Sequence, residues 1–179
     1  MSFSFDPFPV LQTSRLQLRV FSEEDYTQVF FLRSDKEVNK YIKRVYPKKI
    51  EEAIAFVNKV QSSMKNGENV NWAICHKEDP KMMGSICLWN FSSDHKTGEV
   101  GYDLHPDYQN MGYMNEAMKA VLRFGFEELQ LDHIKAYTHH SNESSKKLLQ
   151  NNGFVMLPDE KDEDNKDNII LSLSKHQVG

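Results

Sequence analysis

The chain has 179 residues, with 26 acidic and 22 basic side chains and a formal net charge of -4. That length supports one core, a sheet covered by helices, and is short for two ordinary domains, so residues 1–179 are read as a single domain. The interspersed charge offers no broad basic stripe of the kind a duplex nucleic-acid binder needs to neutralise phosphates. No stretch approaches the roughly 20 apolar residues that cross a bilayer.

The first residues, Met-Ser-Phe-Ser-Phe-Asp-Pro, have neither a basic start nor an uninterrupted apolar run, so a secretory signal is not expected and a cytoplasmic location is. Leu16, Leu18 and Val20 alternate with Arg15, Gln17 and Arg19, the period of a half-buried strand. Ser22 is placed to cap a helix, with Asp25 three residues on and Val29, Phe30 and Leu32 supplying its apolar face. Ile50, Ala53, Ile54, Val57 and Val60 recur at helical intervals to about Met64.

Strands are expected over Val70 to His76 and Met83 to Phe91, around a polar turn at Pro80, and again over Glu99 to His105, making an antiparallel meander. Cys75 and Cys87 fall in two of these strands without metal or redox spacing and read as small buried hydrophobes. Trp72 and Trp89 read as core or cleft wall. After Gly112 a helix carries Ala117, Met118, Val121 and Leu122 on one stripe, with Gly125 marking close packing. His133 to Thr138 forms a strand, Ser141 to Ser145 opens a short helix closed at Asn152-Gly153, and Phe154 to Leu157 and Asn168 to Leu173 are the last strands. The charged run from Asp159 to Asp167 between them reads as a solvated loop.

The turn before the helix is the informative stretch. Gly112 sits where a strand ends at His105-Pro106 and a helix begins, exposing successive backbone amides at a helix mouth, which can hold a phosphate without basic side chains. The spacing fits neither the nucleoside-triphosphate loop nor the dinucleotide fingerprint. Read locally, Gly112 either cradles an anion or only relaxes the turn.

Gln109-Asn-Met-Gly-Tyr-Met114 resembles the Gln/Arg-x-x-Gly-x-Gly/Ala motif of the GNAT superfamily of acyl-CoA-dependent N-acyltransferases. Gly101 to Tyr108, Glu116-Ala117, Thr13-Ser-Arg-Leu-Gln-Leu-Arg19 and Asn142 to Phe154 are similar to the branch that acetylates ribosomal-protein N-termini, in the same order along nearly the whole chain. The resemblance implies a mixed α/β fold: a mostly antiparallel twisted sheet of about six to seven strands flanked by helices on both faces. It implies acetyl-CoA as cosubstrate and no metal. Its pyrophosphate would meet the backbone of Gln109, Asn110, Met111, Gly112, Tyr113 and Met114, and its pantetheine arm would lie along Asp103, Leu104 and His105, near Asn142 and Ser145.

An alkylamine with a pKa near lysine's, roughly 10, must lose a proton before attacking a thioester, so a base or water chain is needed. Alternation puts Glu99 and Asp103 on one strand face and Tyr102 on the other. By resemblance Glu99 is the base, Ser145 donates to the departing thiolate, and Asn142 shares that helix opening. The alternative is capping alone, with Ser141 or Asn142 simply satisfying free amides. The tyrosine that other members carry in this helix has no match, Gln150-Asn-Asn152 filling the region. Adjacent His139 and His140 point to opposite sides if extended, and no metal site is expected among the histidines.

The acceptor, a protein N-terminus or a small amine, should be flanked by a helical segment from Glu37 to Ile50 and by Asp159 to Asn168. Lys43 and Arg44 there are either an acidic acceptor's partners or an ordinary basic face. The competing reading is a non-catalytic acyl-CoA-binding module, and monomer and homodimer both stay open.

Overall fold

The computed structural model describes residues 3–177. Leu16 and Leu18 are fully buried and Gln17 and Arg19 half-buried, so the alternation read in the sequence does form a strand. Eight strands make one sheet: β1 (Leu11–Gln12), β2 (Leu16–Arg19), β3 (Asn69–His76), β4 (Asp79–Trp89), β5 (Thr97–Leu104), β6 (His133–His139), β7 (Val155–Met156) and β8 (Asn168–Ser174). Their order is β1-β2-β3-β4-β5-β6-β8-β7. Seven correspond to the expected strands; the eighth, β1, has two residues and is too short to show a period.

Helices α1 (Tyr26–Ser34) and α2 (Ile50–Lys65) cover one face, where Val29, Leu32, Ala53 and Val57 meet Ala73, Cys75 and Met82. Helices α3 (Tyr113–Arg123) and α4 (Glu143–Asn151) cover the other, where Met118, Val121 and Leu149 join Val70, Trp72 and Ile74. Alternate residues of β3 thus feed two cores, as period two requires. Gly125 follows α3 in a π-helical segment, Phe124–Glu128, and a Cβ there would stand 2.8 Å from Ile134 Cδ1. Burial lifts the Cys75 thiol to about 11 and the Cys87 thiol to about 12, and both are free. No helix among the described residues is long and apolar enough to cross a membrane.

The helical segment expected from Glu37 to Ile50 does not form; turns run through Tyr41, and the chain is irregular to Lys49. Asp35 Oδ1 accepts the amides of Glu37 and Val38 at 2.9 Å each, and Asn39 Nδ2 donates to the carbonyls of Leu32 and Asp35. These local bonds compete with a helical ladder, and Pro47 removes a further donor.

A clasp ties the first strands to α3. Glu116 Oε1 accepts from Thr13 Oγ1, from Ser14 Oγ at 3.1 Å and from the Arg15 amide at 2.8 Å, while Oε2 takes Arg15 Nε at 2.7 Å. Burial opposes the charge on Glu116, but these donors outweigh it and hold the carboxyl at about 2. A lowered folded pKa stabilises the fold above the ordinary 4.5 and ceases to do so as pH falls toward 2. Glu116→Gln is therefore expected to lose about 2 kcal/mol in urea denaturation at pH 7. The gap to wild type should narrow as pH drops below 4.5; equal stability at pH 7 would show that the clasp contributes nothing.

Candidate active site

Among the described residues β5 and β6 are the one parallel pair, and they stay together only at Thr97–His133, Gly98–Ile134 and Glu99–Lys135. Beyond Glu99 the strands part, while β4 stays paired with β5 as far as Leu104. β5 thus has an open edge inside the sheet. The His105 amide donates to the Met83 carbonyl at 2.8 Å, so by antiparallel alternation Asp103 and His105 turn their backbone groups toward β4. Tyr102 and Leu104 face the open side, and the Leu104 carbonyl already accepts from Gln109 Nε2 at 3.0 Å. Of the three residues expected along the pantetheine, Leu104 alone presents its backbone to the gap.

A cleft of about 840 Å³ opens where the strands part, and Glu99, Tyr102, Asp103, Asn142 and Ser145 all line it. Glu99, the last paired residue, accepts from Asn90 Nδ2 at 3.2 Å. Burial raises its carboxyl from the ordinary 4.5 to about 7; the Asn90 bond opposes this and the nearby charge of Asp162 adds to it. Asp103 is engaged instead, accepting from the Ser85 amide at 3.1 Å and hydroxyl at 2.6 Å. The two carboxylates on one strand face therefore differ: one is held in place, and the other titrates near neutrality.

Ser145 is buried in the first turn of α4. Its Oγ accepts from Thr138 Oγ1 at 2.9 Å and lies 2.6 Å from the Tyr102 phenol. Burial lifts that phenol to about 12, with the Ser145 bond opposing. Asn142 is the helix cap, its Oδ1 accepting the Ser145 amide at 3.1 Å. Sequence reasoning missed Tyr102 and Thr138. Tyr102 alternates onto the face away from Glu99, yet both reach the cleft because β5 has lost its neighbour there. A phenol thus stands at the opening of α4, supplied by the strand and not by the helix.

The turn lies beyond the end of β5 and outside the cleft's lining. Pro106–Tyr108 form one 3-10 turn, Asn110 has a φ of 60° and Gly112 a φ of 79°, a left-handed cap to α3. The amides of Asn110, Met111, Gly112, Tyr113, Met114 and Asn115 have no acceptor among the described residues; Glu116 is the first to bond, to the Gly112 carbonyl at 3.0 Å. Arg15 Nη1 donates to the Met111 carbonyl at 3.1 Å, and the guanidinium lies 4.4 Å from the Tyr113 ring centre. Met111 is exposed, whereas Met114 packs inward, so its side chain leaves the row of amides clear. A row of free amides at a helix start fits a pyrophosphate.

His139 and His140 do not diverge as expected for an extended pair. β6 ends at His139, the chain turns, and the rings stack with centres 4.6 Å apart. Nδ1 of His139 accepts the Ser141 amide and Nδ1 of His140 lies 3.0 Å from the Ser141 hydroxyl. With Asp167 they bring ligand atoms within 4.8 Å of one another.

The acetyltransferase (GNAT) domain model matches residues 15–155. The uncharacterized N-acetyltransferase YnaD of Bacillus subtilis (strain 168) is 33% identical over 145 residues, 80% of this chain and 81% of that protein. A GNAT-family acetyltransferase from Bacillus anthracis superposes with a TM-score of 0.79 at 25% identity, covering 94% of this chain and 99% of that one. RimL, a ribosomal L7/L12 alpha-N-protein acetyltransferase in complex with coenzyme A, shares the fold with a TM-score of 0.80 at 15% identity over 93% of this chain and 98% of that one. An open-edged sheet, a neutral-pH carboxylate in its cleft and a helix mouth of free amides are thus joined to a family match over most of the length, and the chain belongs to the GNAT acetyltransferase family.

Proposed function

We propose that the protein transfers an acetyl group from acetyl-CoA to a primary amine, on a small molecule or a protein N-terminus, by direct attack while both are bound. The carrying observation is Glu99: a carboxylate at the point where β5 and β6 part, with a pKa of about 7, inside a cleft that also holds Ser145 and Tyr102. Acetyl-CoA supplies the acetyl group as a thioester. The free amides of residues 110–115 hold its pyrophosphate, and the open edge at Tyr102 and Leu104 aligns the arm as an added strand would.

Glu99 accepts a proton from the ammonium form of the acceptor, directly or through one water, freeing the nitrogen lone pair to form the C–N bond. As the C–S bond breaks, the electron pair goes to sulfur, and the second proton lost by the nitrogen passes through water to the phenolate left when Tyr102 protonates that sulfur. The Thr138–Ser145–Tyr102 chain returns a proton there: with Thr138 donating to Ser145 and Ser145 to Tyr102, the phenolic hydrogen is free to face the cleft. Asp103, held by the Ser85 amide and hydroxyl, ties β5 to β4 beside the gap.

Glu99→Gln is expected to lower kcat/KM by roughly 10²–10⁴-fold at pH 7.5, with coenzyme affinity by calorimetry unchanged. Wild-type kcat should rise with pH through about 7, and the variant should lack that limb. Retention of the full rate in the variant would place the base elsewhere. The raised pKa also sets a sign for stability: what Glu99 contributes is present below 4.5 and lost as pH rises through about 7. The variant should accordingly melt above wild type at pH 8, and the difference should close below pH 4.5.

Ser145→Ala and Tyr102→Phe should each reduce kcat about tenfold or more while coenzyme A still binds. Full turnover in both would remove the relay. Binding of coenzyme A with no transfer to any amine would identify a non-catalytic module instead.

A further inference from the structure

The cleft holds two arginines that make no ion pair among the described residues. Arg33 comes from the last turn of α1, its guanidinium 3.6 Å from the Phe56 ring centre, and Arg44 comes from the irregular segment before α2. Both line the cleft with Glu99 and Tyr102. Among the described residues neither has a carboxylate within ion-pair distance, and Arg44 Nη1 is buried with no hydrogen-bond partner. Burial first, and then the charge of Arg44, draw the Arg33 pKa down to about 10. Two half-buried guanidiniums within one another's field, one with a buried and unpartnered nitrogen, are unfavourable unless an anion joins them.

Asp103 lends its charge to Arg33 from a distance, but among the described residues no acid lining the cleft, Glu99, Asp103, Asp162, Glu163 or Asp164, closes an ion pair with either arginine. Asp103 is engaged by Ser85, and Asp162 by the amides of Asp164 and Asn165 and by Asn168 Nδ2 at 2.8 Å. The free amides of the glycine turn, with Arg15 beside them, lie outside the cleft, so the coenzyme's pyrophosphate has its own place. Lys43 Nζ donates to the Asp164 carbonyl at 3.2 Å, joining the two rims and favouring a small occupant.

We infer that the acceptor is a small amine carrying a carboxylate or phosphate, which Arg33 and Arg44 clamp while the amine faces Glu99. This rests on the cleft being the acceptor side of the acetyltransferase proposed above. Arg is suited to the task because its planar fork meets two oxygens of one oxyanion at once. The amine end then lies toward Glu99 and Asp162, and the charges of the acceptor are matched end to end.

Three matched pairs test this: β-alanine against propylamine, O-phosphoethanolamine against ethanolamine, and L-serine against serinol. Each is titrated into coenzyme A-saturated protein by calorimetry and assayed with acetyl-CoA by thiol release, using wild type, Arg44→Gln and Arg33→Gln. The charged member of at least one pair should bind at least roughly tenfold more tightly in wild type, the worth of one charged hydrogen bond at about 1.4 kcal/mol per decade. Whether phosphate or carboxylate pairs show it identifies the oxyanion. Arg44→Gln and Arg33→Gln should each abolish the preference, chiefly through KM, with coenzyme affinity by calorimetry in place.

Equal binding of charged and neutral members, no binding of any charged member at millimolar concentration, or a preference that survives either substitution overturns the inference. Failure of coenzyme A itself to bind overturns the acetyltransferase reading instead, which keeps the two outcomes apart.

Discussion

The site depends on one break in the sheet. β5 and β6 pair at three positions and then separate, while β4 keeps its ladder with β5 through six. An edge strand is ordinarily a liability at the rim of a sheet, where it invites pairing with another chain. Here the unpaired edge is interior, supported from behind by β4 and flanked by helices on both faces, so it stays ordered while its backbone groups remain available. Glu99 sits at the apex of the gap. It is far enough inside to lose water, which is why its carboxyl holds a proton to about pH 7, yet it still borders the cleft.

Around that gap the chain fixes what must not move. Glu116 gathers donors from Thr13, Ser14 and Arg15, and Arg15 reaches on to the Met111 carbonyl. One carboxylate thereby couples the start of the sheet to the mouth of α3. Gln109 bonds back to Leu104 and fixes the near end of the turn. Between these anchors Asn110 and Gly112 take left-handed conformations, and six amides are left free. Asparagine tolerates that conformation better than most side chains, so a second glycine is not required there.

The walls of the cleft are built differently from its floor. One is the irregular segment before α2, stapled by Asp35 and Asn39; the other is the acidic loop before β8, folded by Asp162 around its own amides. Neither wall has a periodic apolar face. Both are shaped by side chains bonding to nearby backbone, and such segments can change composition without disturbing the two cores. The charges at the cleft are not averaged away: among the described residues Arg44 of the first wall and Arg33 of α1 make no ion pair, while Asp162 of the second wall is held by its own loop.

Period and turn chemistry are local, and these the sequence by itself determined: the alternation at Leu16 and Leu18, the meander read from Val70 to His105, the helices at Ile50 and after Gly112, and the glycine turn at the mouth of α3. The motif from Gln109 to Met114 was legible for the same reason, since what distinguishes it is a row of consecutive backbone amides left free among the described residues. Other features were decided only by the tertiary structure. The expected helix from Glu37 failed because side-chain bonds to backbone outcompeted a weak period. Tyr102 joined Ser145 across 43 positions because β6 diverges, and Glu99 became distinct from Asp103 because Ser85 stands opposite only one of them. Burial, strand divergence and the partner across a ladder are relations between distant segments, and no local pattern of residues encodes them.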